Sequence, residues 1–164
     1  MKVLIACEFS GTVRKAFEDK GHESWSCDLL PTQEKGNHIQ DDVLKHLDKG
    51  WDLMIAHPPC TYLSNAGARH LYPKGKLNED RLKLGLQAKE FFLKLLNADI
   101  EKIAVENPVS SKVFELPKYS QIIQPFEHGH TVSKKTCLWL KNLKPLQPTN
   151  LVSKQENCHG AKGS

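Results

Sequence analysis

Five apolar or extended stretches, separated by polar segments, set the pattern of the chain. Residues 2–7, 51–56 and 100–105 are short and nearly continuous apolar runs, which predict strands that are covered on both faces. Residues 23–27 and 37–40 predict two further, shorter strands. This pattern is typical of a sheet whose strands are mostly parallel.

Amphipathic segments between these runs predict helices over residues 11–20, 43–48 and 78–96. Gly21 ends the first predicted helix, and Gly50 follows the second. Because the strands alternate with helices, we expect an α/β fold with ligand chemistry at the carboxyl edge of the sheet.

The pattern changes after residue 108. Residues 110–115 predict a short helix, and residues 120–124 and 136–140 predict two strands that form an antiparallel C-terminal hairpin. Residues 61–76 contain glycines and a proline and predict a long loop over the strand ends.

The composition of the 164 residues fits one ordinary domain, because 39% are hydrophobic and 26% are charged. No apolar run approaches the ~20 residues of a membrane span. The five cysteines form no C-x-x-C pair, and the first residues are typical of a core strand rather than a signal peptide. We expect a cytoplasmic protein with a domain over residues 1–150 and a weakly ordered tail over 151–164.

Acidic side chains follow several predicted strands. Asp28 is placed to bind ribose hydroxyls, and Asp41 or Asp42 to bind an adenine amino group, although helix capping explains at least one of the last two equally well. Glu106 follows another strand and is placed either to protonate a heterocycle or to bind the amides of the next turn.

The segment His57-Pro58-Pro59-Cys60 cannot continue a strand or a helix, because its two prolines remove two backbone donors. A thiol in this position is either a nucleophile held in a cleft or a small buried side chain. His57 is read as a residue that stabilises the turn more readily than as a base.

Taken together, the motifs resemble those of the cytosine-5 DNA methyltransferases, especially the short phage-encoded members of that family. The resemblance extends through about Asn150. It rests on the cofactor turn, two acidic positions, the nucleophile motif and the E-N pair, which are here Phe9-Ser10-Gly11, Asp28, Asp41-Asp42, Pro58-Pro59-Cys60 and Glu106-Asn107.

This resemblance implies a Rossmann-like sheet and a minimal enzyme that transfers a methyl group from S-adenosylmethionine to cytosine in DNA. It implies that Cys60 attacks carbon 6, that Glu106 engages ring nitrogen 3, and that Asn107 belongs to the same catalytic set. The cofactor residues implied are Phe9, Ser10, Gly11, Thr12, Asp28, Leu29, Asp41, Asp42, Val43 and Pro58. The nucleic-acid contacts implied are Ser64, Lys134 and Lys135.

Departures from the family keep other functions open. Lys134 and Lys135 stand where the family has arginines, and lysine cannot make the same planar bidentate bonds. We also expect neither a target-recognition domain nor the closing cofactor segment, so the protein would act on DNA either through the basic hairpin or with a second chain that supplies recognition. The alternatives are an inactive S-adenosylmethionine- or nucleotide-binding module of phage origin and a modifier of a free pyrimidine nucleotide. If the protein is phage-encoded, the cytoplasm we expect is that of the host. No metal site is expected, because His128 and His130 have no third ligand at a suitable spacing.

Overall fold

Seven strands form one sheet in the computed structural model, which describes residues 1–153. The strands are β1 (Lys2–Ala6), β2 (Glu23–Asp28), β3 (His38–Gln40), β4 (Leu53–Ala56), β5 (Lys102–Pro108), β6 (Gln121–Ile123) and β7 (Thr136–Lys141). Their order is β3-β2-β1-β4-β5-β7-β6. The pairs among β1 to β5 are parallel, whereas β7 pairs antiparallel with both β5 and β6. The prediction of a mostly parallel α/β sheet with an antiparallel C-terminal hairpin is therefore confirmed.

Within residues 1–153, three α-helices lie between the strands: α1 (Thr12–Glu18), α2 (Asn65–Ala68) and α3 (Glu79–Leu96). The helix predicted over 43–48 is a 3-10 turn, Val43–His46, and the one predicted over 110–115 is another, Lys112–Phe114. The long loop contains α2 and a third such turn, Pro73–Gly75. These segments are too short to show the helical period clearly in the sequence.

Helix α3 covers one face of the sheet. Its Phe92 and Leu95 are fully buried, and the ring of Phe92 meets Trp139 of β7 edge to face at 4.9 Å. Strand residues alternate between the two faces, so Ile103 and Val105 of β5 join this core.

Helix α1 covers part of the opposite face, where Val13 and Phe17 pack against Val3, Ile5 and Leu53. Beyond α1, the same face carries an apolar cavity of about 360 Å³. It is lined by Phe17 of α1, by residues of β4, β5, β6 and β7, by His57 directly after β4, and by the segment after β7; the lining includes Ile55, Ala104, Glu106, Leu140 and Leu146.

The strand order has a switch point between β1 and β4, where consecutive strands stop being added on one side of β1 and start being added on the other. From β1 the chain adds β2 and β3 on one side, and then β4 and β5 on the other. A crevice forms at the carboxyl edge of such a sheet, between the loops that leave in opposite directions. No helix among residues 1–153 is long and apolar enough to cross a membrane. Of the predicted tail, residues 154–164 lie outside the described part of the chain.

Candidate functional site

The turn after β1 is organised by Glu8, whose side chain is 6% exposed. Its carboxylate accepts hydrogen bonds from the amides of Val13 at 2.6 Å and Arg14 at 3.2 Å, and from the Ser10 hydroxyl at 3.2 Å. It therefore caps α1, whose own N-cap residue, Gly11, has no side chain to do so. These two amides are consequently not free to bind a phosphate.

Gly11 itself is required by the close approach of two neighbours. Its φ is 79°, and an added Cβ would lie 2.7 Å from Glu34 and 2.8 Å from the Arg14 guanidinium. Only glycine combines this backbone conformation with so little space. Gly11, expected at the cofactor, is thus buried beneath the turn while Phe9, Ser10 and Thr12 remain at the surface.

Arg14 is completely buried and ties α1 to the connection between β2 and β3. Its guanidinium donates to five oxygens: Ser26 Oγ at 3.0 Å, Thr32 Oγ1 at 3.5 Å, Glu34 O at 2.7 Å, Lys35 O at 3.1 Å and Asn37 O at 3.3 Å. The segment that begins with the predicted site residues Asp28 and Leu29 is therefore fixed to α1. An arginine in an amphipathic helix normally faces solvent, so the sequence pattern gave no sign of this role.

An acidic cleft of about 140 Å³ lies at the carboxyl ends of β1, β2 and β3. Five predicted cofactor residues line it together, namely Asp28, Leu29, Asp41, Asp42 and Val43. Its remaining walls are Cys7, Cys27, Pro59 and Phe91. Pro59 lines this cleft, whereas the predicted Pro58 does not and is buried.

The acids of this cleft differ in how far they are already engaged. Asp41 binds His46 at 2.9 Å and accepts from the Asp42 amide at 2.8 Å, and these bonds lower its pKa to about 2. Asp28 and Asp42 each use one oxygen to accept from a backbone amide, at 2.9 and 3.0 Å. Within residues 1–153 their second oxygens have no hydrogen-bond partner, so they are available to donors of a ligand.

Cys7 lies between the acidic cleft and a second one, and no motif in the sequence pointed to it. Its φ of 61° is a strained conformation for a residue with a side chain, at the point where β1 ends. Burial raises the pKa of its thiol to about 12 and that of Cys27 to about 11. Both side chains therefore remain neutral thiols and are poor nucleophiles.

The second cleft, the turn cleft, has a volume of about 250 Å³. It is lined by Cys7, Glu8, Phe9, Ser10, Thr12, Val13 and His57. Apart from Gly11, the predicted cofactor residues of the first turn lie in this cleft and those after β2 and β3 lie in the acidic cleft, and the two clefts share Cys7.

Two side-chain contacts join the end of β5 to the segment 57–60. Nδ1 of His57 lies 3.1 Å from Oε2 of Glu106, and both side chains are about 30% exposed. The Asn107 side chain donates to the Pro58 carbonyl at 3.0 Å and is 1% exposed. Because successive strand residues face opposite sides of a sheet, Glu106 faces His57 and the apolar cavity while Asn107 faces the α3 core. Asn107, expected to be catalytic, is thus placed to hold the turn.

Cys60 follows this turn and is partly exposed. Its carbonyl accepts from the Ser64 amide at 3.1 Å. The Ser64 hydroxyl, expected to contact nucleic acid, is buried and caps α2 by accepting from the Gly67 amide at 3.1 Å. The structure therefore brings Glu106 into direct contact with His57, and holds Cys60 on the adjoining turn.

Lys134 and Lys135 are exposed and lie just before β7. The first residue of β7, Thr136, pairs with Pro108 and Ile123, the last residues of β5 and β6. The antiparallel strand therefore starts where its neighbours end, so both lysines lie at the same edge of the sheet as Glu106.

A scan of the sequence against protein-family models finds no matching model, and a search of curated proteins finds no matching relative. Among solved structures, the chain is similar to a prophage-encoded protein of E. coli that was proposed to be a DNA modification methyltransferase. The TM-score is 0.47 and the identity is 13%, over 85% of this chain and 46% of that protein. The chain thus spans less than half the length of that protein.

Proposed function

We propose that this protein is an S-adenosylmethionine-dependent methyltransferase that acts on cytosine in DNA, with Cys60 as the nucleophile and Glu106 as the proton donor. The observation that carries the proposal is the pair of contacts, His57 to Glu106 and Asn107 to Pro58, that joins the Cys60 turn to β5. Such a thiol and carboxyl group on adjoining strand ends are what a covalent reaction of a pyrimidine ring requires. The single antiparallel strand beside β5 supports the methyltransferase variant of the Rossmann architecture.

The two clefts fit S-adenosylmethionine better than a ligand with phosphates. Glu8 already binds two amides at the start of α1, and its negative charge would repel a phosphate there. The unengaged oxygens of Asp28 and Asp42 suit the hydroxyl and amino donors of an adenosine group. Phe9, Ser10 and the other residues of the turn cleft would hold the amino-acid part. When bound, the cofactor supplies an electrophilic methyl group.

The chain's own residues prepare the cytosine ring. Cys60 reacts as the thiolate, after its thiol proton has passed to solvent, and its sulfur forms a bond to carbon 6. In the same step Glu106 gives its proton to ring nitrogen 3, so no negative charge accumulates on the ring. Carbon 5 thereby becomes nucleophilic and accepts the methyl group. A water molecule then takes the carbon 5 proton, and the electron pair of that C–H bond restores the ring double bond and expels the Cys60 sulfur as a thiolate. Glu106 takes back the proton from nitrogen 3. A base in a duplex must first leave the helical stack to reach these groups.

His57 and Asn107 act as positioning residues in this scheme. His57 holds one oxygen of Glu106, which leaves the other oxygen for the ring. Asn107 fixes the Pro58 carbonyl, and with it the direction in which the chain enters Cys60.

Calorimetric titration with S-adenosylmethionine tests the cofactor part of the proposal. We expect saturable binding by the wild-type protein and weaker binding by Asp28→Ala, because Asp28 loses its free oxygen. Asp48→Ala removes an exposed acid outside both clefts and should bind as the wild type does. Absence of binding to the wild-type protein would contradict the proposal.

Transfer of a labelled methyl group to cytosine-containing DNA tests the chemistry. We expect incorporation by the wild-type protein and none by Cys60→Ala. Saturable cofactor binding without transfer to DNA would contradict an enzymatic role and favour a binding module.

A further inference from the structure

The carboxyl edge of the sheet is divided into an acidic half and a basic half. Asp28, Asp41 and Asp42 lie at the ends of β2 and β3. By contrast, residues 53–78 and 128–153, which include the end of β4 and the start of β7, contain no aspartate or glutamate, and Glu106 at the end of β5 is engaged by His57. A polyanion is therefore attracted to one half of the edge and repelled by the other.

The first acid-free segment carries the loop that follows Cys60. Arg69, Lys74 and Lys76 are exposed on this loop, and none of them pairs with a carboxylate in the described part of the chain. Lys134 and Lys135, at the start of β7, are likewise exposed and unpaired within residues 1–153. The nearest acids in sequence, Glu79 and Asp80, lie in the first turn of α3, where they stabilise the helix dipole.

The same loop presents an aromatic side chain to solvent. Tyr72 lies between Arg69 and Lys74 and is 54% exposed, although the neighbouring Leu71 is buried. An exposed ring among cations is the arrangement on which unpaired bases stack, whereas bases in a duplex are already stacked on one another.

Several contacts hold the first part of this loop, residues 61–67, against the segment after β5 and against α3. The Asn65 amide donates to Val109 O at 3.1 Å, and the Ser111 amide donates to Leu63 O at 2.7 Å, so the loop is joined to the segment after β5. Arg81 of α3 donates to Thr61 O at 3.2 Å and to Gly67 O at 3.1 Å. Closer to Tyr72, the Asn78 amide donates to Leu71 O at 2.7 Å and the Leu71 side chain is buried, so the loop is also tied to the start of α3 and less ordering cost opposes binding.

We propose that the loop 69–76, together with Lys134 and Lys135, binds a single-stranded nucleic acid, with one base stacked on Tyr72 and the backbone phosphates on the cations. The inference rests on the proposed function in one respect: it identifies an unpaired strand as the substrate of the proposed methyltransferase site. Its physical basis is independent, because binding requires neither cofactor nor turnover.

Fluorescence anisotropy with labelled 12-nucleotide probes of mixed sequence tests this surface. The probes are single-stranded DNA, the same sequence as RNA, and the DNA duplex, all without cofactor. We expect a single-stranded probe to bind more tightly than the duplex, and a preference for DNA or RNA to identify which strand is the partner. Tyr72→Ala should weaken single-strand binding by about 5- to 150-fold, and Tyr72→Phe should retain it.

The charge contribution is tested with matched variants. Arg69→Ala combined with Lys74→Ala should lower the slope of log affinity against log salt by about 0.7 for each phosphate that the variant no longer neutralises. Lys20→Ala combined with Lys49→Ala removes the same charge at the opposite edge of the sheet and should leave binding unchanged.

Tighter binding of the duplex, an unchanged affinity in Tyr72→Ala, or an equal loss of affinity in the Lys20 and Lys49 control would overturn the inference. Single-strand binding that follows these expectations without methyl transfer would leave this surface standing and contradict only the proposed function. If Tyr72→Ala changed neither methyl transfer nor the affinity for single strands, the proposed function would stand and this surface would be contradicted.

Discussion

Replacing the buried Arg14 should destabilise the fold and loosen the acidic cleft together. Arg14→Met removes five hydrogen bonds, of which those to Glu34 O at 2.7 Å and Ser26 Oγ at 3.0 Å are the shortest. A hydrogen bond to a charged group contributes about 1.5–3 kcal/mol, so these two alone contribute about 3–6 kcal/mol. Methionine avoids the cost of burying a guanidinium, which offsets part of that loss. We therefore expect the free energy of unfolding to fall by about 2–4 kcal/mol.

Urea denaturation followed by far-ultraviolet circular dichroism measures this loss, and calorimetry measures the affinity for S-adenosylmethionine. We expect Arg14→Met to bind the cofactor more weakly, although Arg14 lies outside both clefts, because the segment after Asp28 is no longer held. Lys15→Met on the same helix removes an exposed ion pair with Asp19 and should cost less than about 1 kcal/mol. A loss below about 1 kcal/mol in Arg14→Met, with unchanged cofactor affinity, would refute the reasoning.

Three further predictions concern other parts of the site. Asn107→Ala leaves the Pro58 carbonyl without its donor, so we expect the free energy of unfolding to fall by about 1–3 kcal/mol. Urea denaturation measures this change, and an unchanged free energy would show that the bond does not hold the turn. The pKa of Asp41 is about 2, below its ordinary 3.8, so its contribution to stability is present above pH 3.8 and is lost as the pH falls toward 2. NMR titration should find that His46→Ala raises this pKa, and a pKa that stays near 2 would contradict the assigned cause. Burial raises the pKa of the Cys7, Cys27 and Cys137 thiols, so we expect iodoacetamide to modify Cys60 before these three in the native protein. Peptide mapping measures the order of modification, and earlier modification of Cys7 or Cys27 would contradict the neutral, buried state assigned to these thiols.

The parallel sheet could be predicted because its strands carry local signals. Residues 2–7, 51–56 and 100–105 are apolar runs bounded by polar or turn residues, and both faces of the corresponding strands are covered at least in part. The acids at strand ends were equally predictable, since the carboxyl ends of parallel strands share one edge. The extent of the domain over residues 1–150 stays a prediction.

The contacts that organise the site could not be predicted from local pattern. His57 and Glu106 are 49 residues apart, and their meeting depends on the register of β4 against β5. A charged side chain such as Arg14 is expected at the surface from the sequence, and only its contacts with the β2 to β3 connection show that it is buried. One feature was accessible from the sequence: alternation along a strand places Glu106 and Asn107 on opposite faces, so they could not act on one ring together.

The most direct test of the account is whether Cys60 becomes covalently linked to cytosine carbon 6. Oligonucleotides in which 5-fluorocytosine replaces cytosine, single-stranded and duplex, are incubated with the protein and S-adenosylmethionine. Fluorine cannot leave carbon 5 as a proton does, so the reaction stops while the sulfur is still bound to the ring. We predict a cofactor-dependent adduct that mass spectrometry maps to Cys60 and that is absent from Cys60→Ser. Methyl transfer to ordinary cytosine by Cys60→Ser, or by the wild-type protein without any adduct on the fluorinated strand, would contradict the account.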